Sequence, residues 1–255
     1  MRYFLSVAYL GTRYAGFQVQ DGQETIQSQV TRALETLFRV PFSLTGSSRT
    51  DAGVHAEDNY FHFDTDLQLT LKHQYNLNAI LPSDIAIKGI YRVGETAHCR
   101  FDAVEREYKY LIHNKKNPFL TERSWLYPYP LDRNVLDRLS EVLLTYTDFT
   151  SFSKRNTQVY TYNCDIREAC WEDGVGGGLS FHISSNRFLR GMIRGIVGTM
   201  IRIARAGVTL EEAEEMFRNI IEAKDCSKAD FTTPAHGLYL MEVRYPQGMM
   251  QALSE

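Results

Sequence analysis

The chain has 255 residues, 44% of them apolar, which suffices to close one large core or two smaller ones. Its 28 Lys and Arg against 31 Asp and Glu leave a net charge of -3, which excludes a global basic coat as the means of holding a polyanion. The longest run without a charge, Gly174 to Asn186, carries a Gly-Gly-Gly triplet and falls short of the roughly 18 apolar residues a membrane span needs. Met1 to Arg13 lacks the apolar core and small-residue cleavage site of a secretory signal, so a soluble, cytoplasmic protein with no membrane contact is expected.

In chain order, Tyr3, Leu5, Val7 and Tyr9 alternate and predict a strand ending at Gly11. Ile26, Val30, Ala33, Leu34, Leu37 and Phe38 recur at helical spacing behind Thr25, a natural N-cap. A Ser/Thr/Gly-rich stretch, Ser43 to Gly53, precedes a short strand over Asn59 to Asp64. A weaker helix, Lys72 to Ile80, stops at Leu81-Pro82, and strands follow over Ile85 to Val93 and Tyr108 to His113. The second half predicts a helix over Asp132 to Tyr146, then a hairpin of Tyr160 to Glu172 and Leu179 to Ser184. Helices over Arg187 to Ala206 and Leu210 to Ala223 come next, the latter opened by a Thr209/Glu212 capping box, and Leu238 to Tyr245 closes the chain as a strand. Hairpin-linked strands interrupted by helices give an α+β class with antiparallel sheets packed by helices. The repeated order of elements sets two subdomains, 1–104 and 105–255.

Cys99, Cys164, Cys170 and Cys226 form no C-x-x-C pair, and no two histidines stand at ligand spacing, so no disulfide framework and no metal site is expected. Neither G-x-x-x-x-G-K nor G-x-G-x-x-G occurs, so no nucleotide cofactor is expected, nor any other.

Two features stand out as candidates for chemistry. In the helix predicted from Arg187, the residues Arg187, Arg190, Arg194, Arg202 and Arg205 project within roughly one third of the circumference at about 100° per residue. Apolar residues fill the remaining arc, and no acid interrupts Asn186 to Val208. Gly191, Gly195 and Gly198 fall on the arginine side. They serve either tight packing against a neighbour or the close approach of a phosphate backbone to guanidinium forks. The other feature is the loop Gly46-Ser47-Ser48-Arg49-Thr50-Asp51-Ala52-Gly53-Val54-His55, where a carboxylate sits between turn-forming residues. By spacing alone the loop decides nothing, and an Asp51 that caps a turn or pairs with Arg49 is a commoner explanation than catalysis.

Arg49-Thr50-Asp51-Ala52-Gly53-Val54-His55 resembles the catalytic signature of the tRNA pseudouridine synthase A family. So do Tyr14-Ala15-Gly16-Phe17-Gln18, Thr25-Ile26-Gln27, Leu77 to Pro82, Tyr108-Lys109-Tyr110, Asp148 to Phe152, Asn186-Arg187-Phe188 through Arg194, and Gly237 to Leu240, in family order along nearly the whole chain. The resemblance implies isomerisation of uridine to pseudouridine in the anticodon stem-loop of tRNA, at positions 38 to 40. It also implies two RNA-recognition-like subdomains with the active cleft between them, and a homodimer holding one tRNA.

By the same resemblance Asp51 is the catalytic carboxylate, adding to sugar C1′ or uracil C6 or taking a sugar proton. The sequence does not choose among these routes. Arg194 matches the cation that keeps Asp51 charged, Arg49 the side chain that fills the stack vacated by the flipped uridine, and Tyr108 the ring that stacks on uracil. Arg187, Arg190 and Arg202 are then candidate tRNA contacts. Tyr110 is expected to support the core. Ser48 and Phe17 stand where the family usually has Gly and Trp, and Cys99 where it often has Ala; Ser48 raises the question of altered backbone angles ahead of Arg49. Two other readings are a tRNA-binding folding chaperone without turnover, which the set Arg49, Asp51, Tyr108 and Arg194 disfavours, and a bare scaffold, which the clustered arginines disfavour.

Overall fold

The computed structural model describes residues 1–155 and 159–253. In chain order the elements are β1 (Arg2–Tyr9), α1 (Ile26–Phe38), β2 (Thr45–Gly46), β3 (His55–Asp64), α2 (Leu71–Ile80), β4 (Ile85–Val93), β5 (Glu105–His113) and β6 (Trp125–Leu126). They continue with α3 (Arg133–Leu143), β7 (Ile166–Asp173), β8 (Leu179–Ser185), α4 (Met192–Ala204), α5 (Leu210–Glu222), β9 (Leu238–Arg244) and β10 (Gln251–Ala252). The class is α+β, with mostly antiparallel pairing. The chain divides into two compact units, Met1–Glu105 with Tyr239–Glu255, and Arg106–Leu238. The second subdomain expected over 105–255 thus ends, as a unit, at Leu238. The closing strand leaves it because His55 and Ala56 of β3 pair in parallel with Tyr239 and Leu240 of β9.

In the first unit β1 is central, antiparallel to β3 on one side and β4 on the other. Phe4, Leu5, Val7, Phe61 and Ile87 are fully or almost fully buried, and α1 adds Ile26, Val30, Ala33 and Leu34. The cap of α1 is reciprocal: Ser28 N–H donates to Thr25 Oγ1 at 3.2 Å, and Thr25 N–H donates to Ser28 Oγ at 3.0 Å. Strand β3 begins at His55, four residues ahead of the sequence expectation, because the Asp51 loop runs directly into the sheet.

In the second unit β8 lies between β5 and β7, antiparallel to both. The hairpin therefore forms as expected, but β7 begins only at Ile166. Helix α3, capped by Asp132, packs on β7, α4 and α5. Tyr110 of β5 is fully buried, and its hydroxyl donates to the Pro234 carbonyl at 2.7 Å, which confirms its place in the core.

Helix α4 departs from expectation in an instructive way. It starts at Met192, not Arg187, because Gly191 adopts φ 74°, a left-handed conformation that breaks any helix entering from the N-terminal side. Arg187 and Arg190 therefore lie in the lead-in segment and off the helical wheel. The interior glycines serve packing: a Cβ on Gly198 would stand 2.4 Å from the Asp230 carbonyl oxygen, and one on Gly195 would stand 2.7 Å from the Phe231 ring. Gly198→Ala is expected to lower stability in urea unfolding by about 1–3 kcal/mol, since a backbone carbonyl must shift. Gly94→Ala, where a Cβ meets nothing within 4 Å, serves as the control and should change it by less than about 0.5 kcal/mol.

Candidate active site

The Asp51 loop is assembled from buried polar groups of the first unit. Strand β2 pairs with β3 at Thr45–His62 and Gly46–Phe61, and Ser47 N–H continues the ladder to the Tyr60 carbonyl at 2.8 Å. The chain then leaves the sheet, and Asn59, fully buried on β3, takes over. Its Oδ1 accepts from Ser48 N–H at 3.2 Å, while its Nδ2 donates to the Ser48 carbonyl at 2.8 Å and to Tyr9 Oη at 3.0 Å. Tyr9 Oη in turn meets Thr50 Oγ1 at 2.7 Å. One amide from β3 and one phenol from β1 thereby satisfy the peptide of Ser48 and the side chain of Thr50, a buried network in which each group depends on its neighbours.

The flanks are held as firmly. Phe17 N–H donates to the Thr50 carbonyl at 3.1 Å, and Val54 N–H donates to the Asp51 carbonyl at 3.1 Å, closing the turn. Gly16, at φ 106°, lies so close that a Cβ would meet the Thr50 carbonyl oxygen at 3.1 Å. Beyond the turn, buried His55 accepts from Gly11 N–H at its Nδ1, 2.9 Å away, which places its ring proton on Nε2. Asp51 emerges half-buried from this frame, with Arg49 exposed two positions before it. Ser48 lies outside the left-handed region, so serine fits the backbone where the family usually has glycine. Its cost is a buried Oγ that has no hydrogen-bond partner among the described residues.

The second unit carries the remaining candidates. Tyr108 is almost fully buried on β5, its ring edge-on to Phe188 at 5.1 Å, next to the segment that bears Arg187 and Arg190. Arg194, on α4, is fixed at its Nε, which donates to the Thr233 carbonyl at 2.8 Å. Thr233 Oγ1 donates back to the Arg194 carbonyl at 2.8 Å. Arg190 is exposed. Arg202 is exposed but donates to the Lys228 carbonyl at 2.8 Å, and Arg205 stacks over Tyr129 with its guanidinium carbon 4.3 Å from the ring centre. The expected one-sided stripe of five is thus divided: two arginines ahead of the helix, one tied to the Thr233 turn, one tied to Lys228, and one on tyrosines.

Sequence reasoning missed Tyr9, Asn59 and His55 as the frame of the loop. The available signal was polar Asn59 on an otherwise inward-facing strand position. It also missed a side-chain group with metal-ligand chemistry, His62, His98 and Cys99, whose ligand atoms lie within 4.8 Å of one another. His62 comes from β3 and the other two from a distant loop, so no spacing could reveal them. His62 Nδ1 meets Cys99 Sγ at 3.1 Å, and the thiol also reaches the Thr45 carbonyl at 3.2 Å. Burial first, then His98, depresses the pKa of His62 from 6.5 to about 4.

Residues 146–246 match the family model for tRNA pseudouridine synthase. The tRNA pseudouridine synthase A of Parabacteroides distasonis is 42% identical over 96% of this chain and 96% of its own length. That of Azobacteroides pseudotrichonymphae is 40% identical over 96% and 97%, and that of Bacillus subtilis 36% identical over 96% and 99%. The chain belongs to the tRNA pseudouridine synthase A family.

Asn59→Ala removes the acceptor of Ser48 N–H, one of the two donors to the Ser48 carbonyl and one partner of Tyr9, so an unfolding stability lower by about 1–3 kcal/mol is expected. His62 gives the pH response its sign. The unfolded ring takes a proton near 6.5 and the folded ring only near 4, so between these values the unfolded state holds more protons and stability falls as pH falls. His98, Arg2, Asp64 and Asp102 face this ring, and the first two oppose its protonation. Urea midpoints measured from pH 7 to 4 should therefore decline less steeply for His62→Gln than for the unaltered chain.

Proposed function

We propose that this protein isomerises uridine to pseudouridine in the anticodon stem-loop of tRNA, at positions 38 to 40. The observation that carries this reading is the identity of 36–42% to tRNA pseudouridine synthases A along 96% of the chain. The loop geometry supports it: a carboxylate is presented from a frame that satisfies the neighbouring backbone, as a reaction on a tightly positioned base requires.

The isomerisation breaks the N1–C1′ bond, turns the uracil, joins C5 to C1′, releases the C5 proton and places a proton on the freed N1. Atoms and electrons balance without a second substrate. Asp51 acts as the carboxylate that adds to C1′ or C6 or takes a sugar proton. Arg194 is the cation that complements its charge, Tyr108 the ring laid against uracil, and Arg49 the side chain that replaces the flipped uridine in its stack. Arg187, Arg190 and Arg202 contact phosphates. Each unit works as an RNA-recognition-like subdomain, and a homodimer in the cytoplasm takes one tRNA. Among the described residues no helix is long and apolar enough to cross a membrane.

The test is tritium release from tRNA labelled at uridine C5. The unaltered protein should release it, and Asp51→Asn should fall to background while retaining tRNA affinity. Release by Asp51→Ala would reject the carboxylate's role, and tight binding without release by the unaltered protein would favour a chaperone. Affinity for tRNA should drop steeply with salt, and Arg190→Ala should make the log–log slope shallower by about one.

A further inference from the structure

A cleft of about 290 Å³ opens in the first unit beside the Asp51 loop, lined by Phe17, Gln18, Leu44, Gly46, Arg49, His98, Arg100 and Phe101 among others. Its floor is apolar: Phe17 occupies the space a Gly46 side chain would take, with a ring carbon 2.4 Å from the Cβ position. Its rim is polar and cationic. Arg49 and Gln18 are exposed and make no hydrogen bond or ion pair among the described residues, and Arg100 stands on the same rim. Phe101 is 73% exposed, far more than a core aromatic, yet one side of its ring lies against His98 at 4.2 Å with a tilt of 34°. Arg100 adds its guanidinium 5.7 Å from the same ring centre. A largely exposed aromatic with a second ring and one guanidinium group against it has the character of a stacking platform for a nucleobase.

We propose that this cleft binds one RNA nucleotide adjacent in the strand to the uridine at Asp51, its base against Phe101 and its phosphate at Arg100. The inference rests on the uridine-isomerisation reading and deepens it. Arg49 supplies the link, since it lines the cleft and also stands two residues before Asp51. Gln18 supplies an amide for the base edge, and the apolar floor tolerates any of the four bases, so the subsite serves affinity and register more than sequence choice.

The experiment measures binding of anticodon stem-loop RNA carrying an abasic nucleotide on the 5′ or the 3′ side of the target uridine, to the unaltered protein and to Phe101→Ala. The exposure of Phe101 makes this substitution light on the fold. Removing one of the two flanking bases should weaken binding to the unaltered protein about tenfold and binding to Phe101→Ala less than twofold, because both changes delete the same stack. Arg100→Ala should make the salt dependence shallower by about one in log–log slope. Losses that multiply, or no loss from either abasic site, with tritium release by the unaltered protein intact, would overturn the subsite and leave the uridine reading standing. Absence of release by the unaltered protein would overturn both.

Discussion

The buried amide of Asn59 is the constraint on which the Asp51 loop depends. A chain leaving a β-sheet must satisfy its peptide groups elsewhere, and a loop that is to hold a side chain in one place is poorly served by water as partner, because a wet loop wanders. Here the amide does for Ser48 what the next strand would have done, donating to its carbonyl and accepting from its N–H. Tyr9 extends the arrangement to Thr50, and Phe17 closes it from the other side. Asp51 thus inherits its position from Tyr9, 42 places earlier in sequence, Phe17, 34 places earlier, and Asn59, eight places later, none of which carries charge.

The same economy shapes the cationic groups. With a net charge of -3 the protein repels polyanions in general, so its attraction for RNA must be local. The arginines differ in how far the fold already holds them. Arg194 and Arg202 each surrender one donor to a backbone carbonyl, which fixes where the rest of the fork points. Arg205 spends its planar face on Tyr127 and Tyr129. Arg49 and Arg190, by contrast, remain on the surface in segments outside regular structure. An arginine already tethered loses less freedom on meeting a phosphate, and an untethered one adapts to the shape that arrives.

What the sequence disclosed and what it withheld follow from the range of the interactions concerned. Helices α1 and α5 were legible because their signals are local: Thr25 with Ser28, and Thr209 with Glu212, cap within a single turn. Helix α4 was misread at its start because Gly191 looks like any glycine until its φ is known. The arginine stripe failed for the same reason, since a helical wheel extended through Gly191 assigns faces to residues that are not helical. Gly195 and Gly198 were flagged correctly as sites of close approach, but the partners are Phe231 and Asp230, more than thirty residues downstream. The resemblance located the Asp51 motif, yet neither spacing nor motif disclosed its frame, because Asn59, Tyr9 and Thr50 meet only once β1 and β3 are paired. The tail of the chain was assigned to the wrong compact unit because a two-residue parallel pairing at His55 leaves no periodic trace.

The central claim is that the Asp51 loop is rigid before RNA arrives. Native-state amide hydrogen exchange on the protein without RNA tests it most directly, read at Phe17, Ser48 and Thr50, whose N–H groups are donated within the frame. The account predicts protection at these three amides approaching that of the paired residues of β1, opening only with the unit as a whole. Exchange at the rate of an unstructured chain at Ser48 and Thr50, with β1 protected, would contradict it.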